Sequence, residues 1–209
     1  MPPTATSSRP FEPGTTGWTV ADLEDPRIEA QWFSGRYEIV EGVLTKMPAA
    51  YFSGSASLNE LIYLLKTHLR SRGLPDRFGT EVDIVLGEDR IVVADGVWLS
   101  AQDQNRQADA VRFAGEADGR RVRILVPPTL IIESLSIGHE LHDRRLKSRW
   151  YAEFGVPNYW ILDPIARSLQ CFVLDGGNYR LDVEGRDQAE MRPALFPELI
   201  IPLGALWGE

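Results

Sequence analysis

Two acidic residues stand where a folding chain least readily accepts charge. Asp95 sits within Ile91-Val92-Val93-Ala94-Asp95-Gly96-Val97-Trp98, and Glu133 within Leu130-Ile131-Ile132-Glu133-Ser134-Leu135. Runs this short and this apolar suit strands buried on both faces. An ionised carboxylate in such surroundings is costly unless a cation or hydrogen-bond donor compensates it. Either the acids lie at strand ends and face water, or they share a partner. A divalent ion held by both satisfies the second case, and hard carboxylate oxygens favour Mg²⁺ (or Mn²⁺).

The pattern around these runs predicts an α/β domain. A short helix near Val20 to Leu23 has Thr19 as its N-cap, and Glu41-Gly42 turns a hairpin between Tyr37-Ile39 and Val43-Leu44. Leu58, Leu61, Ile62, Leu65 and Leu69 form one stripe of a helix over 58–72, with Ser57 and Glu60 as a capping box and Gly73 beyond its end. Strands follow over 82–86 and 91–99. The polar stretch 100–120 reads as a long loop, and Val122 to Val126 as a short strand.

After the Glu133 strand, Gly138 to Phe154 reads as a helix with Leu146, Trp150 and Phe154 along one edge. Gly155 ends it, and Asn158 to Leu162 is the next strand. Strand, helix, strand in that order implies a right-handed crossover between parallel strands. A hairpin then pairs 169–174 with 179–183 around Asp175-Gly176-Gly177-Asn178, and Phe196 to Trp207 is apolar enough to dock. Residues 18–209 are expected to form a single domain: a mixed β-sheet flanked by helices, with N-terminal and C-terminal β-hairpins. Met1 to Gly17, rich in Pro, Ser, Thr and Gly, is expected to be a disordered leader.

Bulk properties narrow the function classes. Cys171 is the single cysteine among 209 residues, so an internal disulfide framework is excluded and a reducing cytoplasmic setting is expected. No apolar run approaches the roughly 18 residues that span a bilayer, so no membrane partner is expected. The net charge of −8 excludes nucleic-acid binding through global charge; local cations are needed. Arg120, Arg121 and Arg123 form one cluster, and Arg144, Arg145, Lys147 and Arg149 another; each reads equally as solvated surface. No Walker-type glycine run and no G-x-S-x-G elbow is present. His139 and His142 lack the further ligands of a zinc site.

Lys147 lies on the helix that follows the Glu133 strand. With Asp143 and Tyr151 it shares one helical face, beside the Leu146 stripe. From there its ammonium can reach the sheet; its plainer reading is a surface pair with Asp143, worth about 0.3–0.5 kcal/mol.

The run Ile132-Glu133-Ser134-Leu135-Ser136, then Asp143-x-x-x-Lys147-x-x-x-Tyr151, then Gly155 to Pro164, resembles the Uma-two family of restriction-endonuclease-like proteins. Tyr37-Glu38-Ile39-Val40-Glu41-Gly42, Val93-Ala94-Asp95 and the closing Leu195-Phe196-Pro197 to Leu206-Trp207 share the likeness, which runs from about Trp18 to Trp207. The resemblance implies a PD-(D/E)xK nuclease whose lysine, usually two residues after the acid, has moved to the next helix: Leu135 fills the usual place. It departs in two positions, with Ala94 where proline commonly precedes the aspartate and no histidine among Ser53 to Ser57.

Carried across by motif, Glu38 is the early acid, Asp95 and Glu133 are metal ligands with the carbonyl of Ser134, Lys147 is the catalytic cation and Tyr151 a supporting residue. Arg144, Arg145 and Arg149 are the expected nucleic-acid contacts. The implied activity is Mg²⁺-dependent endonucleolytic hydrolysis of DNA, with a homodimer as an expected assembly. Two other readings stand beside it. One is a catalytically silent nucleic-acid-binding or dimerisation module of the same fold. The weaker one is a carboxylate glycosidase, which would not need the helix lysine.

Overall fold

The computed structural model describes residues 9–47, 52–114, 123–135 and 141–208. In chain order, a 3₁₀ turn (Val20–Glu24) leads to α1 (Pro26–Phe33), β1 (Tyr37–Val40), β2 (Val43–Lys46), α2 (Phe52–Ser71), β3 (Phe78–Gly87), β4 (Arg90–Trp98), α3 (Ala101–Ala114) and β5 (Leu130–Ser134). Then come α4 (Leu141–Phe154), β6 (Asn158–Asp163), β7 (Ser168–Asp175), β8 (Asn178–Arg186), β9 (Glu190–Met191), β10 (Ile201–Pro202) and α5 (Leu203–Leu206). The chain divides into two compact units where the sequence suggested one domain over 18–209. One comprises Met1–Ala49 with Asp83–Val93, the other Ala50–Val82 with Ala94–Glu209.

The first unit is built on the β1–β2 hairpin, paired from Tyr37 opposite Lys46 to Val40 opposite Val43 around the expected Glu41-Gly42 turn. Ile39 of β1 pairs with Ile91 of β4. Trp18, Leu23, Ile28, Trp32, Ile39, Leu44 and Ile91 form its core. The Trp32 indole N–H donates to Asp83 at 2.7 Å. The capping box at Thr19 is present, with Asp22 accepting from the Thr19 N–H. Arg9 to Gly17, expected to belong to a disordered leader, pack on this unit: Gly14 and Thr15 exchange backbone hydrogen bonds with Leu44, and Phe11 packs edge-on to Trp18; Met1 to Ser8 lie outside the described residues.

In the second unit the strands run in the order β4-β5-β6-β7-β8. The β5–β6 pair is parallel, with α4 as the crossover, and its neighbours are antiparallel. The sheet is therefore mixed, as expected. Alternation along β5 and β6 divides its faces. Leu130 and Ile132, with Trp160 and Leu162, join Leu58, Leu61, Leu65 and Leu69 of α2 in one core. Ile131 and Glu133, with Tyr159 and Ile161, point to the other face, where α4 lies. Phe196, Leu203 and Leu206 complete the α2-side core, so the C-terminal segment docks as its apolarity suggested.

Three elements differ from the sequence reading. The helix expected from Leu58 starts at Phe52, and Ser57 is a buried residue inside it and not its cap. Residues 101–114, read as loop, form α3. This helix has no apolar stripe to reveal it; side chains hold it instead. Ser100 Oγ accepts from the Asp103 N–H, and Gln107 clasps the Arg123 carbonyl and the Leu125 N–H. The short strand expected at 122–126 is a single bridge at Ile124 among the described residues. Gly138, His139 and Arg120–Arg121 lie outside the described residues. Among those described, no helix is long and apolar enough to cross a membrane.

Cys171 lies on β7, 1 % exposed within the α2-side core. Burial, and secondarily the Asp182 charge, push its thiol well above the usual range. The folded protein should therefore resist an aromatic disulfide reagent at mildly alkaline pH and react fully in denaturant. Fast reaction of the native chain would contradict this packing.

Candidate active site

The strands β4 and β5 place the two acids. Their last paired residues are Gly96 and Ile132. A Cβ at Gly96 would stand 3.3 Å from Ile132 Cβ and 3.5 Å from Leu58 Cδ1, so this position faces α2 and a side chain there would be a tight fit. One residue further along each strand stand Asp95 and Glu133, which therefore project to the opposite face, that of α4. There the ladder gives way to a side chain: Asp95 Oδ2 accepts the backbone N–H of Ser134 at 2.8 Å. The Asp95 carboxylate is thus held beside the residue that follows Glu133.

Helix α4 supplies the rest. The Tyr151 hydroxyl donates to Glu133 Oε1 at 2.6 Å, and Lys147 Nζ stands 3.8 Å from the same oxygen. Glu133 is 9 % exposed, Lys147 4 % and Tyr151 0 %. This burial excludes two plainer readings, that Glu133 faces water at a strand end and that Lys147 belongs to a surface pair. Asp95 is half-buried. The spacing of four residues between Lys147 and Tyr151 brings both onto Glu133 from successive turns.

The end of α4 fixes that turn. Gly155, at φ +90°, donates to the Ala152 carbonyl, and Val156 donates to Tyr151 at 2.9 Å. These are the two bonds of a Schellman cap, which needs a residue tolerant of the left-handed region. Gly155 was expected to stop the helix; it also clamps the backbone of Tyr151.

The remaining expected residues are placed as follows. Glu38 belongs to the first unit, 2 % exposed, its Oε1 accepting the Val93 N–H at 2.8 Å. Ser134 uses its N–H on Asp95, and its hydroxyl stands 3.4 Å from the Gly54 carbonyl near the start of α2. Arg145 and Arg149 are exposed on α4; the side chains of Arg144, His142 and Asp143 lie outside the described residues. Arg123 is buried, which removes it from any surface cluster. Two things had no sequence signal: the Asp95–Ser134 bond, which depends on where two strands part, and a groove beyond α4 described below.

Two carboxylates on one sheet face supply hard oxygen donors for a cation, while the Lys147 ammonium donates nothing to it and offsets part of their charge. Among the described residues no group of three or more His, Cys, Asp or Glu side chains gathers as a full metal cage. That donor set fits Mg²⁺, which keeps several waters and takes one or two carboxylates. It does not fit structural zinc, which is fully ligated by protein.

No curated protein matches the chain. Among solved structures, a crystal structure described as "a putative nuclease belonging to DUF820" from Anabaena variabilis ATCC 29413 is similar. It is 16 % identical, with a TM-score of 0.61, and the match covers 82 % of this chain and 89 % of that one. That likeness shows a shared fold. The Uma2 family, described as "Putative restriction endonuclease", matches residues 30–204, a span that includes Glu38, Asp95, Glu133, Lys147 and Tyr151. The chain belongs to the Uma2 family.

Proposed function

We propose that the chain is a divalent-metal-dependent endonuclease that hydrolyses phosphodiester bonds of DNA. The observation that carries this reading is the convergence on Glu133 of Tyr151 and Lys147, with Asp95 held at the adjoining Ser134 N–H. Asp95, Glu133 and the Ser134 carbonyl would hold Mg²⁺ or Mn²⁺. Such an ion supplies positive charge at the scissile phosphate and lowers the pKa of water.

The chain's own groups do the positioning. Tyr151 holds Glu133 at Oε1 and the Ser134 N–H holds Asp95 at Oδ2, which fixes how each carboxylate is presented. Lys147, anchored beside Glu133, presents its ammonium to a phosphate oxygen or to the attacking water, where negative charge builds as the P–O bond breaks. Glu38 is the early acid of this reading, and in its own unit it anchors β4 through Val93. A homodimer would bring two such sites to two strands.

Plasmid nicking and single-strand cleavage, measured with Mg²⁺ and Mn²⁺, test the proposal. Lys147→Ala should lower the cleavage rate by about 10²–10³-fold, and Glu133→Gln, which keeps an acceptor for Tyr151, should abolish it. Equal rates in wild type and both variants would end the reading. A well-folded wild type with no heat of Mn²⁺ binding would favour the silent module instead. Tyr151→Phe removes the donor that orients Glu133. It should raise the Mn²⁺ concentration at half-maximal cleavage about 10–100-fold, while saturating Mn²⁺ restores most of the rate. Glu38→Gln retains an acceptor for the Val93 N–H, so the Tm should be nearly unchanged while cleavage falls. Unaltered cleavage would reduce Glu38 to an anchor of β4.

A further inference from the structure

Helix α4 has a second working face. Arg145, Arg149 and Ala152 lie on it, away from Glu133, and form one wall of an open groove of about 620 Å³. Tyr159 and Phe172 form its floor, and Asn178 and Tyr179 at the β7–β8 turn form the opposite wall. Pockets of this volume hold ligands of nucleotide size; a duplex is far too wide. The groove adjoins the candidate site. Its floor includes Ile161, the register partner of Glu133, and the Tyr159 ring lies 5.6 Å from that of Tyr151.

The chemistry of the lining is mixed in an informative way. Phe172 and Tyr179 are half-buried and offer ring surface, and the Tyr179 hydroxyl is spent on the Val156 carbonyl at 2.8 Å. Asn178 adds an amide at the exposed rim. Arg145 is exposed and has no ion pair among the described residues. Arg149, by contrast, is bound at 2.7 Å by Glu153 of the same helix, which also lines the groove. One cation is open to solvent and the other is neutralised by a neighbouring carboxylate.

The geometry points to this groove as a subsite for one nucleotide of a single-stranded segment, with its phosphate on Arg145 and its base against Phe172 and Tyr179, and with Glu153 as a brake on the second arginine. This inference rests on the nuclease reading and assigns that site the strand it engages. Aromatic rings beside guanidinium groups are the usual means of holding unpaired bases and their phosphates.

The test is fluorescence anisotropy of a short labelled single-stranded oligodeoxynucleotide, in EDTA so that no hydrolysis is needed. Arg145→Ala should weaken binding about fivefold or more and reduce the slope of log K against log salt by about 0.7. Ala152→Trp, which fills the groove, should weaken binding too. Glu153→Gln should tighten it severalfold, a gain that misfolding cannot imitate; Glu190→Gln, an exposed acid on β9, should not.

Absent binding by wild type, unchanged affinity in all three groove variants, or equal tightening by Glu190→Gln would overturn the subsite. So would a matching duplex that binds as well with the same responses. Glu133→Gln separates the two ideas. Unchanged cleavage by Glu133→Gln, with the groove variants altering binding as stated, ends the hydrolytic reading alone; lost cleavage by Glu133→Gln, with no change of affinity in the groove variants, ends the subsite alone.

Discussion

A carboxylate carried into the interior of a sheet must find donors there, and Glu133 finds them on a single helix. Tyr151 gives it a short hydrogen bond and Lys147 a nearby positive charge, both from α4. A hydrogen bond to a charged group contributes about 1.5–3 kcal/mol, while removing one partner of a buried ion pair costs about 3–5 kcal/mol because the other charge is stranded. The helix and strand are thus interdependent. α4 crosses β5 with those two side chains inward against the acid, and the acid in turn meets the lysine that α4 buries.

That dependence explains the local architecture. The parallel β5–β6 pair requires a crossover, and the crossover is α4 itself. The Schellman cap at Gly155 sets where the helix stops, and so where Tyr151 comes to rest on the strand before it. On the other side of the sheet, Gly96 admits Leu58 of α2 close against β4 and Ile132. The apolar core thereby claims that face, while the other carries Glu133 among the buried Ile131, Tyr159 and Ile161. The division is sharp because strand side chains alternate: Ile132 and Glu133 are neighbours in sequence and lie on opposite sides of the sheet.

Much of this was legible in the residues. The apolar runs around Asp95 and Glu133, the i, i+4 placement of Lys147 and Tyr151, and the Gly155 stop all carry local signals, and the structure bears out the elements they implied. What failed was governed by longer-range contacts. α3 is polar, and its hold on residues 123–125 through Gln107 joins positions 16 and 18 apart in sequence. The first turn of α2 contains Ser53 to Ser57, small polar residues that resemble a loop until Ser134 is seen against Gly54. Arg9 to Gly17 looked like leader because its two backbone bonds to Leu44 come from a strand that begins more than twenty-five residues later. Glu38 was singled out only by resemblance; its bond to Val93 spans 55 residues.

The acidic balance of the whole chain, −8, at first weighs against a nucleic-acid substrate. Phosphate recognition, however, depends on charge within about one Debye length, roughly 8 Å at physiological ionic strength. On α4 the charges are sorted on that scale. Lys147 points inward, its charge set against Glu133, while Arg145 and Arg149 stand outward over the groove. Glu153 tempers one of them and leaves the other open. Weak phosphate attraction from Arg145, the open arginine of α4 among the described residues, would favour repeated brief contact over tight capture. On the proposed reading, hydrolysis then turns on a cation held by Asp95 and Glu133, while the groove engages the strand without it.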